Sequence, residues 1–339
     1  MLKFFTSFAQ SKFISIRSIY KALLIAVGFV FLFSSCYKTT HNEPESTQEL
    51  VIVTSFYPMY LHTINIAKDV PEVKVINMTE PQTGCLHDYQ LSVSDMKLLE
   101  KADIFVINGA GMEGFLEKVI KQNSKVKIAE ASKGIELLKE DFHHNHKHDE
   151  EDNHDYEDED EDEHENEHYN PHVWVSISGA IQQVRNIADQ LSEYDSKNSQ
   201  LYKQNADAYI EKLEGLKTEM HSRINNLPNR KIITFHEAFP YFAKEFSLEI
   251  AAVIQREPGT EPGAGELKET VEIIKKTGIK ALFAEPQYSS KAADIISRET
   301  GAKIYLLDPI VTGEAKPDQM NAYIDRMKQN LKVLEEALK

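Results

Sequence analysis

From Leu50 onward, short and mostly β-branched apolar runs alternate with stretches in which apolar residues recur at helical spacing. Leu50–Thr54, Val73–Met78, Ile104–Asn108 and Val126–Ala129 predict strands, separated by helical patterns over Tyr57–Asp69, Ser92–Lys101 and Glu113–Gln122. The rhythm returns later: strands over Lys231–Phe235, Glu249–Ile254, Ala281–Ala284 and Lys303–Leu307, helices over Ala238–Phe246, Glu266–Lys276 and Lys291–Thr300. Asp318–Leu338 predicts a last helix. Such alternation implies an α/β fold of two lobes, each a mainly parallel sheet flanked by helices. Between the lobes, Val173 to Leu227 lacks proline. Ile177, Ile181, Val184, Ile187 and Leu191, then Tyr209, Ile210, Leu213, Leu216 and Met220, keep helical spacing. This fits one very long helix or two meeting near Tyr194–Ser199.

Composition sharpens the division. With 41% hydrophobic and 27% charged residues among 339, there is material for a sizeable core, so disorder of the whole chain is excluded. The net charge of −16 is mostly local. Residues 141–168 hold 15 of the 54 acids and one of the 38 bases, leaving the remainder near neutral. No basic patch points to nucleic acid. The same segment carries His143, His144, His146, His148, His154, His164 and His168, seven of the 13 histidines. It has too few apolar residues to offset ordering and is expected to be disordered. Neutral imidazole suits Zn²⁺, Cu²⁺ and Ni²⁺, so it reads as a low-affinity metal-collecting insert rather than a solvated linker.

Lys3, Lys12, Arg17 and Lys21 precede the apolar run Ala22–Phe33, which is shorter than the roughly 20 residues a spanning helix needs. Ser34, Ser35 and Cys36 follow. A basic region, a short apolar region and small residues at a cut site read as a secretory signal. The ending resembles the lipobox of bacterial lipoproteins, with Phe33 standing where a smaller aliphatic residue is usual. The expected division is a signal peptide over 1–35, a lipidated tether over 36–49 attached at Cys36, and an N-terminal lobe over 50–140. The insert over 141–168, a long linking helix over 169–228 and a C-terminal lobe over 229–339 follow. The protein is then expected outside the cytoplasmic membrane, held to a bacterial membrane by lipid.

Outside the insert, His87, His236 and Asp308 each follow a strand, and His172 sits where the lobes connect. A lone histidine at a strand end is more often a satisfied polar residue than a ligand. In open α/β sheets, however, ligand sites form beyond the carboxyl ends of strands. Three histidines and a carboxylate suffice for a tetrahedral Zn²⁺ site.

Four segments then match a family: Leu86-His87-Asp88-Tyr89, Asn170-Pro171-His172-Val173-Trp174, Thr234 to Phe242 around His236, and Phe283-Ala284-Glu285-Pro286-Gln287. The chain resembles the zinc/manganese-type solute-binding proteins of bacterial ABC importers, most closely the zinc branch, over about Leu50 to Leu338. The resemblance implies that His87, His172 and His236 are the metal histidines and that Asp308 completes the site, with Glu285 in reserve. It also implies a long backbone helix bridging the lobes and limited hinge motion. Where the manganese branch typically has a carboxylate, this chain has His236, which favours zinc. Cys85 departs from the pattern and reads as an inert thiol, an extra soft ligand being the alternative.

The function expected is extracytoplasmic capture of Zn²⁺, as transported ligand rather than catalyst, by a monomer that delivers it to an ABC permease and its ATPase. A manganese- or iron-type importer subunit is the nearest alternative. A secreted zinc hydrolase is the more distant alternative: the one His-Glu-x-x-His string, His164 to His168, lies in the segment expected to be disordered and not on a helix. A surface adhesin or metal buffer would make the insert the main feature.

Overall fold

The computed structural model describes residues 49–86, 89–116, 125–139, 168–254, 262–287 and 291–339. The first lobe contains β1 (Leu50–Thr54), α1 (Tyr57–Ile66), β2 (Val73–Asn77), α2 (Val93–Lys101), β3 (Ile104–Ile107) and β4 (Lys127–Glu130). Its strands are all parallel, in the order β2-β1-β3-β4. The second contains β5 (Lys231–Thr234), α5 (Pro240–Phe246), β6 (Glu249–Val253), α6 (Ala264–Thr277), β7 (Ala281–Ala284), α7 (Lys291–Thr300), β8 (Lys303–Leu306) and α8 (Ala322–Ala337). Its order, β6-β5-β7-β8, is again parallel and repeats that of the first sheet. In each sheet the connections reverse direction between the two central strands, opening a crevice at their carboxyl ends.

Strand alternation assigns each side chain to a core. Ile52, Ile104 and Val106 enter one large apolar cluster, while Val53 and Phe105 face a smaller one beneath α2. In the second sheet Ile232 and Phe283 join the same large cluster, and Ile233 and Leu282 pack under α6 and α7. The large cluster is therefore common to both lobes. It runs through α1, through α8, and through α3 (Ile177–Tyr194) and α4 (Ser199–Ile224).

Of the two linker arrangements open to the sequence, two helices form. α3 and α4 make an antiparallel hairpin that turns at Asp195–Asn198, where the Asp195 carboxylate accepts from Asn198 Nδ2 at 2.7 Å and Tyr202 Oη at 2.9 Å. Both helices reach from lobe to lobe. α3 starts against Glu245 of α5, whose carboxylate accepts from Ile177 N at 2.7 Å and Ser178 N at 3.1 Å. That anion meets the positive end of the helix dipole. The helix ends with Tyr194 Oη donating to Ile128 O of the first sheet at 2.8 Å. α4, with 26 residues and so roughly 39 Å long, begins where Asn205 donates to Ile66 O and Lys68 O. It finishes with Arg223 paired to Glu335 of α8. The helix expected over Glu113–Gln122 appears in the described residues only as a 3₁₀ turn, Gly114–Leu116; residues 117–124 lie outside them.

Glu113 fastens the carboxyl ends of the two central strands of the first sheet. One carboxylate oxygen accepts from Ser55 Oγ at 2.8 Å and Asn108 N at 2.8 Å, the other from Gly109 N at 3.0 Å. Burial outweighs these bonds and pushes its carboxyl up to about 7. An acid raised in the folded state stabilises fully below its unfolded value near 4.5 and loses that contribution as pH rises through about 7. In Glu113→Gln the constant offset from the lost acceptor at Gly109 N does not titrate. Denaturant unfolding between pH 4.5 and 7.5 should therefore show wild type losing up to about 3 kcal/mol relative to the variant. Parallel pH profiles would contradict this assignment.

Candidate metal centre

The site lies at the crevice of the second sheet, facing the first lobe. His236 follows β5 and Glu285 follows β7, the two central strands, so sheet order puts them side by side. His172 heads the 3₁₀ turn Val173–Val175 that enters α3. Cys85 comes from the loop after β2. Gly313 N of the second lobe donates to Pro81 O of that loop at 2.8 Å, and neighbouring Leu86 is wholly buried in the shared core. One ligand-capable atom each from Cys85, His172 and His236 lie within 4.8 Å of one another, the only such metal-capable cluster among the described residues.

The segment carrying His172 is clamped from both sides. Asn108, after β3, donates to Pro171 O at 3.0 Å and is itself held by Gln183 of α3. From the second lobe, Tyr241 Oη donates to Asn170 O at 2.8 Å, and Asn170 Nδ2 donates to Glu237 O at 2.8 Å. Asn170 Oδ1 is then the acceptor for His172 N at 3.0 Å and His172 Nδ1 at 3.1 Å. Because Nδ1 carries the proton, the Nε2 lone pair faces the cluster, with Cys85 Sγ at 3.4 Å. Gly179 permits the tight entry into α3: a Cβ there would meet Val173 O at 2.2 Å. Trp174, its ring tilted 49° to that of His172, donates from its indole to Pro309 O at 2.8 Å and joins the turn to the second lobe.

The rings of His172 and His236 meet edge to face, with centroids 4.9 Å apart. His236 Nδ1 lies 3.5 Å from Glu285 Oε1, and both side chains are buried. Burial opposes charge on His236, yet the negative charges of Cys85 and Glu285 together outweigh it and push the imidazole up to about 10. Glu285 Oε2 accepts from Gln287 Nε2 at 2.6 Å. His62 shows the opposite case: wholly buried in α1 away from any carboxylate, it is pushed down to about 3 by burial alone.

The expected residues thus divide. His172 and His236 come together; Glu285 stands behind His236. Asp308, expected as the completing carboxylate, is held elsewhere. Its Oδ2 pairs with Arg326 at 2.9 Å, its Oδ1 accepts from Ile310 N at 2.7 Å, and Asn330 binds its backbone on both sides. The reason is sheet order: Asp308 follows the edge strand β8, two strands and roughly 10 Å from β5. His168 is exposed at the end of the insert and outside the cluster. His87, Cys36 and insert positions His143, His144, His146, His148, His154 and His164 lie outside the described residues. Cys85, read from the sequence as an inert thiol, is inside the cluster. The orienting roles of Asn170, Asn108 and Gln183 were not visible in the sequence, although Asn170 stands in the quoted Asn-Pro-His segment.

Comparison with known proteins agrees with this architecture. Residues 52–337 match the family described as zinc-uptake complex component A periplasmic (ZnuA). The high-affinity zinc uptake system protein ZnuA of Bacillus subtilis is 34% identical over 93% of this chain and 96% of its own length. The zinc-binding lipoprotein AdcA of Streptococcus pneumoniae is 32% identical over 87% of this chain, which spans 57% of that longer protein. Among solved structures, a crystal structure of ZnuA superposes with a TM-score of 0.70 at 28% identity, covering 86% of this chain and 99% of its own. The matched span takes in both sheets, the helical hairpin and every residue of the cluster, and the chain belongs to the ZnuA family.

Proposed function

We infer that the protein is the extracytoplasmic zinc-binding subunit of an ABC-type importer, capturing Zn²⁺ between the lobes and handing it to a membrane permease and its ATPase. The carrying observation is the convergence of Cys85, His172 and His236, from the first lobe, the linker and the second lobe, within 4.8 Å. A cation there ties all three parts together, so loading is felt by both lobes. His172 and His236 are imidazole ligands, His87 is the third by its matching segment, and Glu285 orients His236 or fills the remaining position. Asp308 serves the loop before α8 instead. The metal is cargo and undergoes no reaction, so the protein is not an enzyme.

Cys36 carries the lipid that holds a monomer at the membrane, and the His-rich insert gathers metal loosely. Lys139 and Tyr169 pair at the two ends of that insert, three residues from His172 at the nearer end.

Competition against a zinc chelator should find one tight site. His172→Ala and His236→Ala should each weaken it by at least about 100-fold, the loss of a direct ligand exceeding the 10–100-fold typical of an outer-shell partner. Asp308→Asn should stay within about threefold of wild type and lower the melting temperature through its lost Arg326 pair. Unchanged affinity in the histidine variants, or collapse in Asp308→Asn alone, would reverse the assignment.

Zinc must displace the proton that His236 holds up to about 10. Apparent affinity should therefore rise about tenfold per pH unit between pH 6 and 8 for that one proton, with matching proton release in calorimetry. A flat profile would mean that His236 gives up no proton to the metal.

A further inference from the structure

We propose that Cys85 is a thiolate ligand of the transported metal, so that this chain captures zinc with mixed sulfur and nitrogen donors and gains its discrimination against Mn²⁺ from the sulfur. The proposal rests on reading the cleft as the zinc site.

Three observations carry it. First, geometry: for Zn–S near 2.3 Å and Zn–N near 2.05 Å, the edge of a tetrahedron from sulfur to nitrogen is about 3.5 Å. Cys85 Sγ lies 3.4 Å from His172 Nε2. Second, orientation: Asn170 keeps the proton of His172 on Nδ1, so the atom facing Sγ is a lone pair able to bind a metal. Third, convergence: His236, from a different lobe, brings its own ligand atom within 4.8 Å of both. A thiol needed only to fill space would require no second imidazole beside it. Thiolate is a soft donor that suits Zn²⁺, whereas Mn²⁺ favours carboxylate, carbonyl and water.

A sulfhydryl donating a hydrogen bond to His172 would give a similar distance, so the test reads the metal itself. The full chain is given less than one equivalent of Zn²⁺, which fills the tightest site before the insert, and X-ray absorption is recorded at the zinc edge. Wild type should show one sulfur at about 2.3 Å with nitrogen at about 2.0–2.1 Å. Cys85→Ser should lose the sulfur shell, keep the nitrogen shell, and show a preference for Zn²⁺ over Mn²⁺ reduced by about tenfold or more in competition. A wild-type spectrum with one tight zinc and only nitrogen and oxygen neighbours would overturn the sulfur ligand and leave the zinc reading standing. A sulfur shell that persists in Cys85→Ser would overturn it too, by assigning the sulfur elsewhere. If no tight zinc binds in wild type, the reading of the cleft fails and the proposal with it.

Discussion

The apolar core shared by the two lobes is the constraint from which the rest follows. Ile52 and Val106 of the first sheet, Ile232 and Phe283 of the second, and Trp174, Tyr202, Leu213, Phe242 and Leu331 of the helices belong to one buried cluster. Each such side chain contributes roughly 1.5–3 kcal/mol on leaving water. Swinging one lobe away from the other would expose part of this surface and break the ties of α3 and α4 at both ends. The loops at the strand ends are thus held against a nearly fixed frame, and a site assembled from both lobes needs little motion to close.

Within that frame the chemistry is set by a few polar contacts. Asn170 uses its whole amide, donating to Glu237 O and accepting twice from His172, so one side chain fixes both the position and the tautomer of an imidazole. Against the cost of burial, Cys85 and then Glu285, buried behind the ring, supply the negative charge that makes His236 strongly basic. A cation arriving in the cleft replaces that proton and meets the same field. Attraction for positive charge is therefore present before the metal enters, while selectivity depends on which donor atoms face it.

Much of the fold was legible in the sequence because its signals are local. Strand alternation, helical spacing and the βα rhythm identified both parallel sheets, and the Asn-Pro-His and Phe-His-Glu segments pointed to His172 and His236. What was hidden depends on contacts distant in the chain. Nothing near Asp308 reveals that β8 is an edge strand or that Arg326, eighteen residues later, takes its carboxylate. Cys85 and His172 are 87 residues apart, so their meeting could not be read from spacing. The turn at Asp195–Asn198 has neither proline nor glycine; it is closed by the Asp195 carboxylate, a signal too weak to separate two helices from one. Of the helix expected over Glu113–Gln122, only the 3₁₀ turn Gly114–Leu116 lies within the described residues, beside a Glu113 side chain that accepts from Asn108 N and Gly109 N.

The central claim, that one zinc ion is held between the lobes by His172 and His236, is tested most directly by anomalous scattering at the zinc edge from crystals of the zinc-loaded protein. The account predicts one strong peak in the cleft, about 2.0–2.1 Å from a ring nitrogen of each of these histidines. A tightly bound zinc located elsewhere, with both imidazoles unligated, would contradict it.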